Sequence, residues 1–195
     1  MGLNAKQWGA IIIAALFGFS FIGYIGIGNN SHSGTAPNAN GNSASSLEYN
    51  GHTFTLENNY WVTNIAGQEK YFLSPPTALE AFSVPSNTAE ILSNNKIYLA
   101  YDPQNTVDLA ALQPLAYSFF SPFGVQVFPA CTEEEGCPDI PVIDCSQDHA
   151  IIFLISEEET STTAQESCLE LRALNVATMQ RQLERTFYTA LGIME

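Results

Sequence analysis

The feature that most constrains this chain is an uncharged apolar segment near its N-terminus. Residues 8–28 read WGAIIIAALFGFSFIGYIGIG and contain no Asp, Glu, Lys or Arg. A segment of this length, at a rise of about 1.5 Å per residue, makes a helix of roughly 31 Å, which matches the hydrocarbon thickness of a bilayer. Trp8 and Tyr24 lie near its ends, where membrane helices place interfacial aromatic side chains. We therefore predict a single transmembrane helix at residues 8–28.

The orientation of this helix follows from the few basic residues that flank it. Lys6 lies in the short stub at residues 1–7, whereas the first basic residue on the other side is Lys70. The positive-inside rule then places the N-terminus in the cytoplasm and the rest of the chain outside the cell membrane. A cleaved signal peptide is the alternative, because Gly26 and Gly28 are small enough to precede a cleavage site, although its apolar core is usually shorter.

Behind the apolar segment, the composition changes twice. Residues 29–47 consist almost entirely of Asn, Ser, Gly and Ala, so they cannot bury a core and are expected to form a flexible linker. From residue 48 onward, apolar residues recur at the spacings of strands and helices. Residues 48–195 are therefore predicted to form one extracytoplasmic domain, which is a suitable length for a single core.

The periodicity of residues 48–195 predicts a mixed α+β fold, in which helices cover a β-sheet. Strands are expected at 52–56, 60–65 and 68–73 as a meander, and later at 96–102, 124–128, 150–156 and 166–174. Short helices are expected at 75–82 and 87–95, and a longer one at 106–120 that Pro114 kinks or breaks. The segment AIIFLIS is apolar on both faces and predicts a central strand. Asn175 is the expected cap of a final helix, whose apolar stripe is Val176, Met179, Leu183, Phe187, Ala190 and Leu191.

Charge separates the two parts of the chain and limits its partners. The chain has 20 acidic and 6 basic residues, and every acidic residue lies at or beyond Glu48. No Lys or Arg occurs between Lys96 and Arg172. Nucleic acid is excluded as a partner, since phosphates are bound by clustered Lys and Arg. The acidic balance favours either a solvated surface that maintains solubility or a surface for a basic, cationic partner such as another envelope protein.

The four cysteines all lie in the predicted outer domain. Three of them belong to the segment CTEEEGCPDIPVIDC at residues 131–145, and Cys168 follows later. Outside a cell, four cysteines in one small domain indicate two disulfides, and three pairings are possible. We expect Cys131–Cys137 to pin a surface loop around the glutamates and Cys145 to join Cys168. A zinc site is the alternative, but the cysteines lack the Cys-x2–4-Cys spacing typical of structural zinc, so no metal and no cofactor is predicted.

One cluster superficially suggests catalysis. Ser146, Asp148 and His149 are close in sequence, but catalytic triads assemble from separate segments and no G-x-S-x-G motif is present. His149 leads directly into an apolar strand and is interpreted as a strand-end residue. No catalytic residue is therefore predicted, and a binding or structural module of the cell envelope is favoured. An envelope-facing hydrolase with an unrecognised active site is the alternative.

Several segments resemble an uncharacterised family of archaeal single-pass membrane proteins of the Woesearchaeota (DPANN) kind. The resemblance rests on NGHTFTLENNYWVTNIAGQEKYFLSPPTALEAF at residues 50–82, on Cys145 and Cys168, and on TFYTALGIM at residues 186–194. It implies a membrane-anchored outer domain. It does not extend to Cys131 and Cys137, and it implies no activity and no site residue.

Overall fold

The computed structural model of the protein describes residues 45–104 and 109–195. The predicted cytoplasmic stub (1–7), the transmembrane helix (8–28) and most of the linker (29–47) lie outside these residues. Within the two described ranges, no helix is both long enough and apolar enough to cross a membrane.

An antiparallel meander of four strands opens the described part of the chain. Its strands, in sequential order, are β1 (Ser46–Tyr49), β2 (His52–Glu57), β3 (Tyr60–Ile65) and β4 (Gln68–Phe72). Each connection is a two-residue turn in which both residues have positive φ: Asn50 and Gly51, Asn58 and Asn59, Ala66 and Gly67. Positive φ at both positions is the requirement of type I′ hairpin turns, which match the twist of the paired strands.

The meander has one strand more than the sequence predicted. Strand β1 begins at Ser46, inside the segment expected to be linker, and pairs with β2. Leu47 and Tyr49, the alternate residues of β1, pack against the main core. Because these two side chains follow a long polar segment directly, the alternation was too short to indicate a strand.

A second sheet contains the remaining five strands. They are β5 (Lys96–Tyr101), β6 (Gln126–Cys131), β7 (Ala150–Ile155), β8 (Ser161–Gln165) and β9 (Cys168–Ala173), arranged in the order β6-β5-β7-β9-β8. Only β8 runs antiparallel to its neighbour. Strand β7 is central, as its apolar sequence predicted, whereas the polar strand β8 was not predicted at all. The α+β class is confirmed, with two sheets in place of the expected one.

Three helices connect and cover these strands: α1 (Thr88–Leu92), α2 (Leu109–Phe120) and α3 (Val176–Ala190). The predicted helix at 75–82 was wrong, since only Pro76–Ala78 forms a 3-10 turn. Two adjacent prolines and nearby Pro85 leave too little chain for α-helical hydrogen bonds. Pro114 lies inside α2 and does not end it. Its position on the exposed side of the helix lets water replace the missing hydrogen bond.

Helix α3 lies at the centre of the core. The Asn175 side chain accepts a hydrogen bond from the Thr178 amide at 2.9 Å, which confirms the predicted cap. Phe187 stacks on Phe119 of α2 with 3.9 Å between ring centroids, and Tyr188 stacks on Phe72 of the meander at 4.0 Å. The predicted stripe is buried at Met179, Leu183 and Phe187, but α3 is in fact enclosed on most sides, since Gln182, Glu184, Arg185 and Thr186 are buried as well.

Candidate functional site

The cysteines form two disulfides in the arrangement expected from the sequence. Cys131 is joined to Cys137, and Cys145 is joined to Cys168. The three glutamates between the first pair are exposed. The second half of the segment is more ordered than a plain loop, because Cys131 forms a parallel bridge with Val142. Ile143, which follows Val142 in the sequence, is buried against the sheet face that the helices do not cover.

The three residues considered as a triad form hydrogen bonds with Asp144 or Ile91. Asp148 accepts a hydrogen bond from the Asp144 amide at 3.0 Å, and His149 Nδ1 lies 3.1 Å from the Ile91 carbonyl oxygen. Ser146 donates its backbone amide to Asp144, and hydrogen bonds from Ser146 lower the pKa of the Asp144 carboxyl. None of these bonds joins two members of the trio, so they do not have the geometry of a catalytic triad. Within the described ranges, no three His, Cys, Asp or Glu residues come together as metal ligands would.

A groove with a volume of about 640 Å³ lies between the meander and helix α2 and is here called the tyrosine groove. One wall is an Ala-Pro-Leu-Ser stripe at positions 111, 114, 115 and 118, the spacing that places side chains on one helix face. The other wall is formed by Glu57, Asn58, Tyr60, Tyr71 and Leu73.

The meander wall exposes an unusual amount of apolar surface. Tyr60, Tyr71 and Leu73 are 44%, 53% and 42% exposed. The two tyrosine rings meet edge to face, with centroids 6.4 Å apart. Exposed apolar side chains that are gathered at one concave surface mark binding sites more often than isolated ones do.

Carboxylates determine the electrostatics of this groove. Glu57 is the one charged residue among the nine described residues that line it. Beside it, the Tyr71 hydroxyl donates a hydrogen bond to Glu69 at 2.5 Å. This hydrogen bond and the negative charge of Glu69 raise the pKa of Tyr71, and the charge of Glu57 adds to the shift. The groove therefore combines two aromatic rings with a negative rim.

Local structure holds both ends of the meander wall in place. The Asn58–Asn59 turn aligns Glu57 with Tyr60 as paired residues across the hairpin. At the other end, Glu184 of helix α3 accepts hydrogen bonds from the backbone amides of Leu73 and Ser74. The Tyr188 hydroxyl donates to the Ser74 carbonyl at 2.9 Å. Two side chains one helical turn apart thus fix the backbone that carries Leu73.

The burial of the Glu184 carboxyl group, which bonds to the backbone of Leu73 and Ser74, has a free-energy cost. The Glu184 side chain is fully buried, and no described residue provides a hydrogen-bond partner for Oε2. Burial raises the pKa of the Glu184 carboxyl, because a charged carboxylate loses its hydration, and the bonds from residues 73 and 74 only partly oppose this effect.

The sequence did not predict the tyrosine groove. The available signal was the turn Glu57-Asn58-Asn59-Tyr60 followed by Tyr71, which places two aromatic residues on outward-facing positions of neighbouring strands. That pattern also fits an ordinary exposed sheet face. The groove exists because helix α2, distant in sequence, lies alongside.

Comparison with known proteins found no matching family model, no similar curated protein and no similar solved structure. These comparisons lend no support to the resemblance to archaeal membrane-anchored proteins, which stays a prediction.

Proposed function

We propose that this protein is a membrane-tethered, non-enzymatic binding module of the cell envelope, whose tyrosine groove holds a basic side chain of a partner protein. The observation that carries the proposal is that Tyr60, Tyr71 and Glu57 line one concave surface, while Glu69 accepts a hydrogen bond from the Tyr71 hydroxyl. Cations are attracted to aromatic faces, and a carboxylate rim adds direct charge attraction.

Other features of the chain support a basic partner and a location at the cell envelope. The chain carries a net charge of −14, so basic segments are steered toward it and acidic ones are repelled. The two disulfides support an oxidising compartment outside the cytoplasm. The apolar segment at residues 8–28 supports attachment to the membrane.

The test uses short peptides that differ only in one central side chain. The 195-residue chain in detergent micelles is titrated with acetyl-Leu-Arg-Leu-amide, and binding is followed by shifts of the tyrosine ring resonances. Versions with norleucine or Glu at the centre serve as ligand controls. We expect the Arg peptide to bind, the norleucine peptide to bind more weakly and the Glu peptide not to bind. Equal binding of the Arg and norleucine peptides would contradict the cation requirement.

A matched pair of variants then locates the site. Tyr71→Ala removes one ring of the groove and should weaken Arg-peptide binding by about 5- to 30-fold, which corresponds to about 1–2 kcal/mol for one cation–π contact. Tyr117→Ala is the control, because Tyr117 is similarly exposed (43%) on helix α2 but does not line the groove. If both variants weaken binding equally, the tyrosine groove is not the site.

A further inference from the structure

Strand β8 is an edge of the five-stranded sheet. It pairs with β9 on one side, and no strand of the described ranges pairs with its other side. In an antiparallel pair, alternate residues direct their backbone N–H and C=O groups away from the partner strand. The outer side of β8 therefore presents backbone groups that another strand can bind.

The sequence of β8 lacks the charged side chains and prolines that usually prevent strand addition, although Ala81, Phe82 and Ser83 lie beside its start. Natural proteins protect edge strands with charged side chains, prolines or a covering segment. The opposite edge, β6, contains Pro129 and is bridged at its end by Val142. Both edges of the meander carry charges, with Glu48 in β1 and Lys70 in β4. By contrast, β8 reads STTAQ and contains neither a charge nor a proline.

A polar cleft of about 330 Å³ lies beside the start of β8. Most of its lining residues carry hydroxyl groups: Ser83, Thr160, Ser161, Thr162 and Thr178. Gln182 of helix α3 closes one end, where its Nε2 donates to the Ser161 carbonyl at 2.9 Å. Thr163 and Gln165, further along the strand, are exposed. A neighbouring strand can therefore add beside this part of β8 at the usual spacing of about 4.8 Å.

The charges at both ends of β8 determine which kind of segment can pair with this edge. Glu157, Glu158 and Glu159 precede the strand, Glu166 follows it, and all four are exposed. Among the β9 residues that pair with β8, the one cation is Arg172, and its side chain is paired with Glu170. A second copy of this chain would pair antiparallel about a two-fold axis. That arrangement would bring the glutamates before one β8 close to Glu166 of the other, so like charges disfavour it.

We infer that β8 is a docking edge, on which an extended basic segment of a partner protein adds as a sixth strand of the sheet. Strand addition derives its affinity from backbone hydrogen bonds and its specificity from flanking side chains. This edge shares no residue with the tyrosine groove, and the inference does not depend on the function proposed for that groove.

The first test removes backbone hydrogen bonds from the ligand and leaves the protein unchanged. A labelled peptide, acetyl-Lys-Thr-Val-Thr-Val-Thr-Lys-amide, is titrated with the 195-residue chain and followed by fluorescence anisotropy. Two further versions carry N-methyl groups on alternate residues, one set on each edge of the extended peptide. A peptide that adds to β8 uses only one of its edges, so one version should lose at least about tenfold in affinity while the other binds. Equal effects of the two methylation patterns would overturn the inference.

The second test separates local charge from overall charge. A triple variant, E157K with E158K and E159K, should weaken binding of the basic peptide by about tenfold or more, because it reverses the charge at one end of β8. The matched control is E133K with E134K and E135K, which changes the net charge equally at exposed positions of the disulfide loop. That loop follows β6, four strand spacings or about 19 Å across the sheet.

Equal weakening by the two triple variants would show that overall charge alone attracts the peptide, and would overturn the inference. Sedimentation measures whether the chain forms a dimer. A dimer that the peptide dissociates would assign the edge to a second copy of the chain and overturn the inference as well.

Discussion

The two disulfides are expected to stabilise the domain at residues 48–195 unequally. Cys131–Cys137 closes a loop with a sequence separation of 6, and Cys145–Cys168 closes one with a separation of 23. From loop-closure entropy, the shorter loop contributes about 2.2 kcal/mol and the longer about 3.4 kcal/mol to the free energy of unfolding. The loops do not overlap in sequence, so the two contributions should add to about 5.6 kcal/mol.

The chain allows a well-matched comparison of the two pairs. Each pair has one fully buried cysteine, Cys131 or Cys168, and one half-buried cysteine, Cys137 or Cys145. Replacement of each pair by alanine therefore loses similar packing, and the difference of about 1.2 kcal/mol isolates loop closure. For a domain of this size that difference is about 2–5 °C in melting temperature.

The assay is equilibrium unfolding in guanidinium chloride, followed by the fluorescence of Trp61 in a Trp8→Phe background. Wild type is compared with Cys131→Ala/Cys137→Ala, with Cys145→Ala/Cys168→Ala and with the quadruple variant. Non-reducing peptide mapping of wild type should first show both disulfides. Four free thiols in wild type, or a loss for the shorter loop that equals or exceeds the loss for the longer one, would refute the reasoning.

Three further outcomes follow from single features of the chain. In the folded protein the pKa of Glu184 is raised above its ordinary value of 4.5, so the folded state binds this proton more tightly than the unfolded state does. The free energy of unfolding should therefore fall as the pH rises from 4.5 through the raised pKa. Glu184→Gln should abolish this component of the pH dependence in paired unfolding curves. An unchanged pH profile in the Gln variant would contradict the assignment. Asn175→Ala should cost about 1 kcal/mol by loss of the helix cap, measurable as a fall of about 2–4 °C in melting temperature. Asn87→Ala is the comparison, because Asn87 precedes helix α1 but its side chain makes no cap hydrogen bond. Protease added to intact cells should remove residues 48–195 and spare the apolar segment, whereas full protection of the domain would reverse the predicted topology.

Local sequence determined the elements whose signals are self-contained. The central strand β7 was predictable because a parallel strand buried on both faces needs an uninterrupted apolar run. The start of α3 was predictable because the Asn175 cap satisfies a helix amide within three residues of its own position. Two disulfides were expected because four cysteines lie in one small domain that was predicted to be extracytoplasmic, although the sequence alone left three pairings open.

Tertiary structure decided everything that depends on which elements become neighbours. Strand β8 is polar and lacks the apolar alternation that predicts a strand, and it forms because β9 provides a hydrogen-bonding partner. Glu184 reads as a surface residue of an amphipathic helix, yet it is buried because the end of the meander provides amides that its carboxylate accepts. Tyr60 and Tyr71 become walls of a groove only when helix α2 lies beside them. Contacts between distant segments depend on the packing of whole sheets and helices, and a local pattern of residues carries no record of that packing.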